Sequence, residues 1–176
     1  MNKDHPAAQD ALIQALEHSD SKRRLERAER IRWAARYDIG GAIIGPVEAM
    51  NLLREARECF VEGHYIATLM LATALIEHVI SEELVAASKA KYGISFERAI
   101  SVARQENLFP TELLDSADRL RVLRNPFAHR KPDDHEHTLG NRYIAQKRHP
   151  RLVVEEDARA ALIAMYGHFR HALRGV

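Results

Sequence analysis

Apolar residues recur at three- and four-residue intervals along most of the chain, the period of a helix that buries one face. Between residues 7 and 37 they are Leu12, Leu16, Leu25, Ala28, Ile31 and Ala35, and Ser19-Asp20-Ser21 predicts a break with a fresh N-cap in the middle. Gly40-Gly41 and Gly45-Pro46 predict a loop, which divides the chain into an N-terminal helical arm, 1–45, and a helical bundle, 46–176. From 47 to 63, Met50, Leu53, Ala56, Phe60 and Val61 make one apolar face behind a first-turn proline. The next helix, 64 to about 91, is apolar on nearly all sides from Ile66 to Ile76, as a helix covered by several neighbours would be. A shorter helix follows from 95 to about 107. Pro110-Thr111 opens another, through Leu113, Leu114, Ala117, Leu120, Val122 and Leu123. Residues 130–154 show no helical period and read as a long polar loop, after which Ala158, Leu162, Met165, Tyr166, Phe169 and Leu173 define a last helix from 155 to 174. With few β-branched runs to build strands, the predicted class is all-α.

Composition narrows the functional classes. The chain has 176 residues, 46% of them hydrophobic, enough for one proper core. Lys and Arg number 26 against 25 Asp and Glu, so no overall field draws the chain to nucleic acid or to an anionic membrane, and any such case rests on local patches. The densest patch is the stretch from 22 to 36, with Lys22, Arg23, Arg24, Arg27, Arg30, Arg32 and Arg36 against Glu26 and Glu29. It either tracks an RNA backbone or simply faces water. Trp33 beside it is read as a buried anchor ahead of a base-stacking platform. The lone cysteine, Cys59, supports neither a disulfide nor a thiolate metal site and reads as a small core residue. The first residues lack the apolar run of a signal peptide, and no apolar stretch reaches a membrane-spanning length, so a cytoplasmic protein is expected.

The concentrated chemistry lies in Arg124-Asn125-Pro126-Phe127-Ala128-His129. Asparagine before proline disfavours helix, so the pattern predicts a kink or restart at Asn125-Pro126, with Asn125 as N-cap and Pro126 as first helical residue. Such a restart would bring Arg124 and His129 toward one another beside free backbone N–H groups, a site suited to phosphate. Asn125 then serves as cap or as phosphate contact. Asp133-Asp134-His135-Glu136-His137 carries metal-liking side chains without a scaffold to fix them and reads as a polar tract. His168 and His171 read as surface histidines. Neither metal nor cofactor is expected.

Together with Leu123, the hexapeptide resembles the signature of the HEPN superfamily: an arginine, a polar residue, a few variable positions and a histidine. The likeness extends to the preceding long apolar helix with its acidic residue, here Glu77, and covers roughly 46 to 174. It implies an HEPN-like helical bundle and metal-independent RNA cleavage, in which a ribose 2′-OH attacks the adjacent phosphodiester. Arg124, His129 and Asn125 would be the catalytic residues. Glu77 would orient Arg124 from behind, or else form a structural ion pair or simply reach solvent. Arg130, Lys131, Arg142, Lys147 and Arg148 would contact RNA. One arginine and one histidine supply only part of an acid–base pair, so a homodimer with a composite cleft is expected. The resemblance further implies a growth-arresting toxin or defence effector, with an antitoxin protein as partner. Where one HEPN branch carries a tyrosine used for control by nucleotidyl transfer, this chain has Lys131.

Overall fold

The computed structural model describes residues 5–37 and 46–173, and over these it forms seven helices and no strands. The chain divides into two compact units, residues 1–36 and 37–176. The glycine loop at 40–45 lies outside the described residues, as does the end of the last predicted helix at Arg174.

The first unit is α1 (His5–Ala34), a single helix about 45 Å long. It runs straight through Ser19-Asp20-Ser21, so the expected break is absent. Serine and aspartate cost only a few tenths of a kcal/mol each inside a helix. The Ala-, Leu-, Glu- and Arg-rich flanks outweigh that.

In the second unit, α2 (Val47–Glu62) starts behind Pro46 and stops at Gly63. There φ is +82°, and the amides of Gly63 and His64 donate to Phe60 O at 3.0 Å and Cys59 O at 2.8 Å. The left-handed turn that closes the helix needs glycine. It reverses the chain into α3 (Tyr65–Ala86), which packs against α2, α4 (Phe96–Gln105), α5 (Thr111–Ala128) and α7 (Pro150–Ala172). Leu69, Ala72, Leu75, Ile76, Ile80 and Leu84 of α3 are all buried. Thr68 and Thr73 are buried too, their hydroxyls donating to His64 O and Leu69 O one turn back, so the helix spends no unsatisfied polar group on its central place. It ends at Ala86, short of the expected 91. Leu114, Ala117, Leu120 and Leu123 of α5, and Val153, Ala158, Ala161, Leu162 and Met165 of α7, complete the core. Gly167 lets α7 close on α5, since a Cβ there would stand 2.9 Å from Leu113 Cδ2.

Residues 130–154 are not a featureless loop. Within them stands α6 (Leu139–Gln146), capped by Thr138, whose Oγ1 accepts from the Asn141 amide. No residue of α6 is buried, so its apolar side chains add nothing to the core. What holds it is polar: the Arg142 guanidinium clasps the Asp157 carboxylate of α7 through two bonds of 2.7 Å. The last helix begins at Pro150, five residues before the predicted start, with His149 as N-cap and Val153 and Val154 already in the core. Pro150 is a first-turn proline rather than loop punctuation.

Candidate functional site

The end of α5 departs from the expected kink. The helix continues through Asn125 and Pro126 to Ala128, and His129 is its C-cap, extended at φ −138° and donating its amide to Asn125 O at 2.8 Å. Pro126 removes the amide that would have bonded Val122 O. Because it lies in the final turn, the helix loses one bond without losing its course. The consequence for chemistry is a reversal of sign. A restart would have offered free N–H groups, but the end of a helix presents free carbonyl oxygens, which repel phosphate. Any anion held here must be held by side chains.

Arg124 turns inward. Its Nη1 donates to Glu77 Oε2 of α3 at 3.1 Å, and its guanidinium carbon stands 5.8 Å from the centre of the Phe96 ring of α4. The side chains of Arg124 and Glu77 keep 18% and 31% of their surface. Arg124 Nε is buried and makes no hydrogen bond. The guanidinium is therefore anchored through Nη1; the buried Nε is closed to a ligand, so a further acceptor would have to meet the remaining Nη donors. His129 is exposed, as is Arg130, while Lys131 and Asn125 are half-buried. The three consecutive residues His129-Arg130-Lys131 make a basic run directly off the helix end.

Beyond Glu77 lies a cleft of about 530 Å³ whose wall includes Glu48, Glu82, His78 and Tyr92. Three carboxylates make it hostile to a phosphate backbone.

The remaining candidates fall elsewhere. Arg142 is spent on Asp157, with side-chain exposures of 11% and 4%, and acts as the clasp between α6 and α7. Arg148 pairs with Glu156 at the surface, and Lys147 is an exposed left-handed C-cap of α6 with φ +51°. Asp133 to His137 form the capping turn of α6: Asn141 Nδ2 donates to the carbonyls of Asp133 and His135, and His135 Nδ1 accepts from the His137 amide. Among the described residues no group of three or more His, Cys, Asp or Glu side chains is placed to hold a metal ion. Nor is any described helix long and apolar enough to cross a membrane.

His168, expected at the surface, is wholly buried, whereas His171 is half-buried. Position 168 continues the stripe of Ala161 and Met165, a relation the histidine side chain obscures. Its Nδ1 lies 2.9 Å from Ala164 O and its Nε2 is buried without a partner. Burial pushes the imidazole down to about 4, the Ala164 carbonyl opposing and the nearby His171 reinforcing the shift. The group is thus neutral at physiological pH. Cys59 is half-buried beside Glu55 and Glu58; burial first and those carboxylates second raise its thiol, so it is no activated nucleophile.

Two residues of this arrangement escaped the sequence reading. Phe96 gave no signal, because an aromatic at a helix start is ordinary. Asp157 did give one: an acid on the stripe of Val153, Val154, Ala158 and Ala161 must find a cation.

Comparisons of the chain with protein-family models, curated proteins and solved structures find no match.

Proposed function

We propose that this chain is an HEPN-type endoribonuclease that works as a homodimer and needs no metal ion. The observation that carries the reading is an arginine held from behind by Glu77 near the end of α5, followed five residues on by an exposed histidine at the C-cap. In the reaction, the ribose 2′-OH attacks the adjacent phosphorus while a base takes its proton. The bond to O5′ breaks, an acid protonates that oxygen, and the products carry a 2′,3′-cyclic phosphate and a 5′-OH. Arg124 would neutralise the charge building on the phosphoryl oxygens. Copies of His129 from two protomers would serve as base and acid. Arg130 and Lys131, next along the chain, would steady the strand, with the more distant Lys147 and Arg148 as outer contacts. Asn125, half-buried in the last turn of α5, would order the turn between the two functional residues. A toxin or defence role, with an antitoxin as partner, goes with this reading.

The test is incubation of total RNA with the protein in excess chelator, comparing wild type with His129→Ala and measuring dimerisation by sedimentation. Cleavage in chelator that His129→Ala abolishes with the dimer intact supports the reading. Cleavage that requires a divalent ion overturns it.

A second reading draws on the unbroken α5, which turns Arg124 inward and leaves His129 in solvent. In that reading the domain binds RNA or nucleotide without turnover. It is distinguished by phosphate-dependent binding that Arg124→Ala removes while no RNA is ever cleaved.

A further inference from the structure

Six arginines of the second unit are held in ion pairs. Arg104 pairs with Asp115, Arg121 with Asp118, Arg124 with Glu77, Arg142 with Asp157, Arg148 with Glu156 and Arg159 with Glu155. The basic stretch of the first unit is different. Lys22, Arg23, Arg24, Arg32 and Arg36 are all exposed, and none makes an ion pair or side-chain hydrogen bond with a described residue. Over residues 22–36 seven basic side chains face two acidic ones, a local charge of +5 in a chain whose net charge is +1. None of the five is tied into the helix by an ion pair with a described residue, and Arg32 and Arg36, four residues apart, repel one another.

We propose that residues 22–36 form an RNA-binding rod whose phosphate contacts are Lys22, Arg23, Arg24, Arg32 and Arg36. The inference rests on the RNA-directed reading above and names a second place where the strand is held. Three features favour RNA over an acidic protein. At 100° per residue, Lys22, Arg24 and Arg32 lie on the sides of the axis away from the buried Arg30 and Ala34, open to a passing strand. Leu25 and Ile31, 71% and 44% exposed, lie about 120° apart round that axis and so provide no apolar seam for a partner helix. Four of the five cations are arginine, whose planar fork grips phosphate oxygens in pairs. From Lys22 to Arg32 the rod covers about 15 Å.

The test uses the full chain carrying His129→Ala, so that substrate survives, and a fluorescein-labelled 20-nucleotide oligouridylate as probe. Binding is followed by anisotropy between 50 and 200 mM KCl. Five single-strand phosphate contacts contribute about 3.5 to the slope of log affinity against log salt, about a hundredfold loss over this range. Replacing all five cations by glutamine, a good helix former, should remove that contribution. R23Q/R24Q alone should remove about 1.4 of it, with the helical circular dichroism unchanged in both. An unchanged slope in the fivefold variant overturns the proposal, as does absence of RNA binding, or displacement of the RNA by poly-L-glutamate of equal length at equal concentration. Arm-dependent binding without any cleavage by the wild-type chain would sink the nuclease reading and leave the rod standing. Cleavage by wild type with an arm-independent slope would do the opposite.

Discussion

Two arginines, each turned into the protein to meet a carboxylate on a neighbouring helix, show how different such a pair can be. At the α6–α7 junction Arg142 gives two parallel bonds of 2.7 Å to Asp157, whose side chain is only 4% exposed. At the α3–α5 junction Arg124 gives one bond of 3.1 Å to Glu77, which is 31% exposed, and its Nε has no acceptor. The first pair has matched donors and acceptors and little room for anything else. The second leaves Nη donors without a partner on a side chain that keeps 18% of its surface, while Nε is buried and unbonded. Arg142 is held for the fold, and Arg124 is held in place with capacity to spare.

If that contrast is real, breaking the two pairs should cost very different amounts. Asp157→Ala strands a guanidinium in a nearly closed site and should lower stability by about 3–5 kcal/mol, read from urea unfolding. The double variant Arg142→Met/Asp157→Leu, which removes both charges, should recover most of the loss.

A pH scan separates this pair from His168, a buried titratable group held by a backbone carbonyl and not by an ion pair. Its folded value of about 4 lies below the ordinary 6.5, so the unfolded chain takes up the proton first. The group leaves stability unaffected above pH 6.5, removes stability as pH falls from 6.5 to 4, and levels off below that at a loss of about 3 kcal/mol. In His168→Leu this part of the acid loss should vanish, which stability curves at pH 7, 5.5 and 4 would show. At the other extreme, Glu77→Gln should cost about 1 kcal/mol or less, since both partners keep contact with water. A loss as large as that of Asp157→Ala would erase the contrast.

The all-α class and the cores of α2 to α5 were legible because their apolar residues keep helical spacing over two or more turns. Glu77 was singled out by the resemblance and not by its spacing, and its carboxylate does meet Arg124. Elements held by polar bonds were not legible. With no buried residue, α6 depends on the Thr138 cap and the Arg142 clasp, and the same clasp turns a presumed RNA contact into a structural one. Local rules were over-read at two points. Ser19-Asp20-Ser21 and Asn125-Pro126 both favour helix ends in isolation, yet strong flanks carry α1 through the first, and burial of Leu120 and Leu123 carries α5 through the second. The polar character of His168 hid its place on a buried stripe.

The claim that Arg124 is kept for chemistry is tested most directly by the rate of RNA cleavage per folded molecule in chelator, with the folded fraction of each sample taken from its own unfolding curve. Arg124→Ala should lower that rate by about 10²–10³ while shifting the unfolding midpoint little. A rate per folded molecule equal to that of the wild type would contradict the claim, as would a loss accounted for wholly by unfolding.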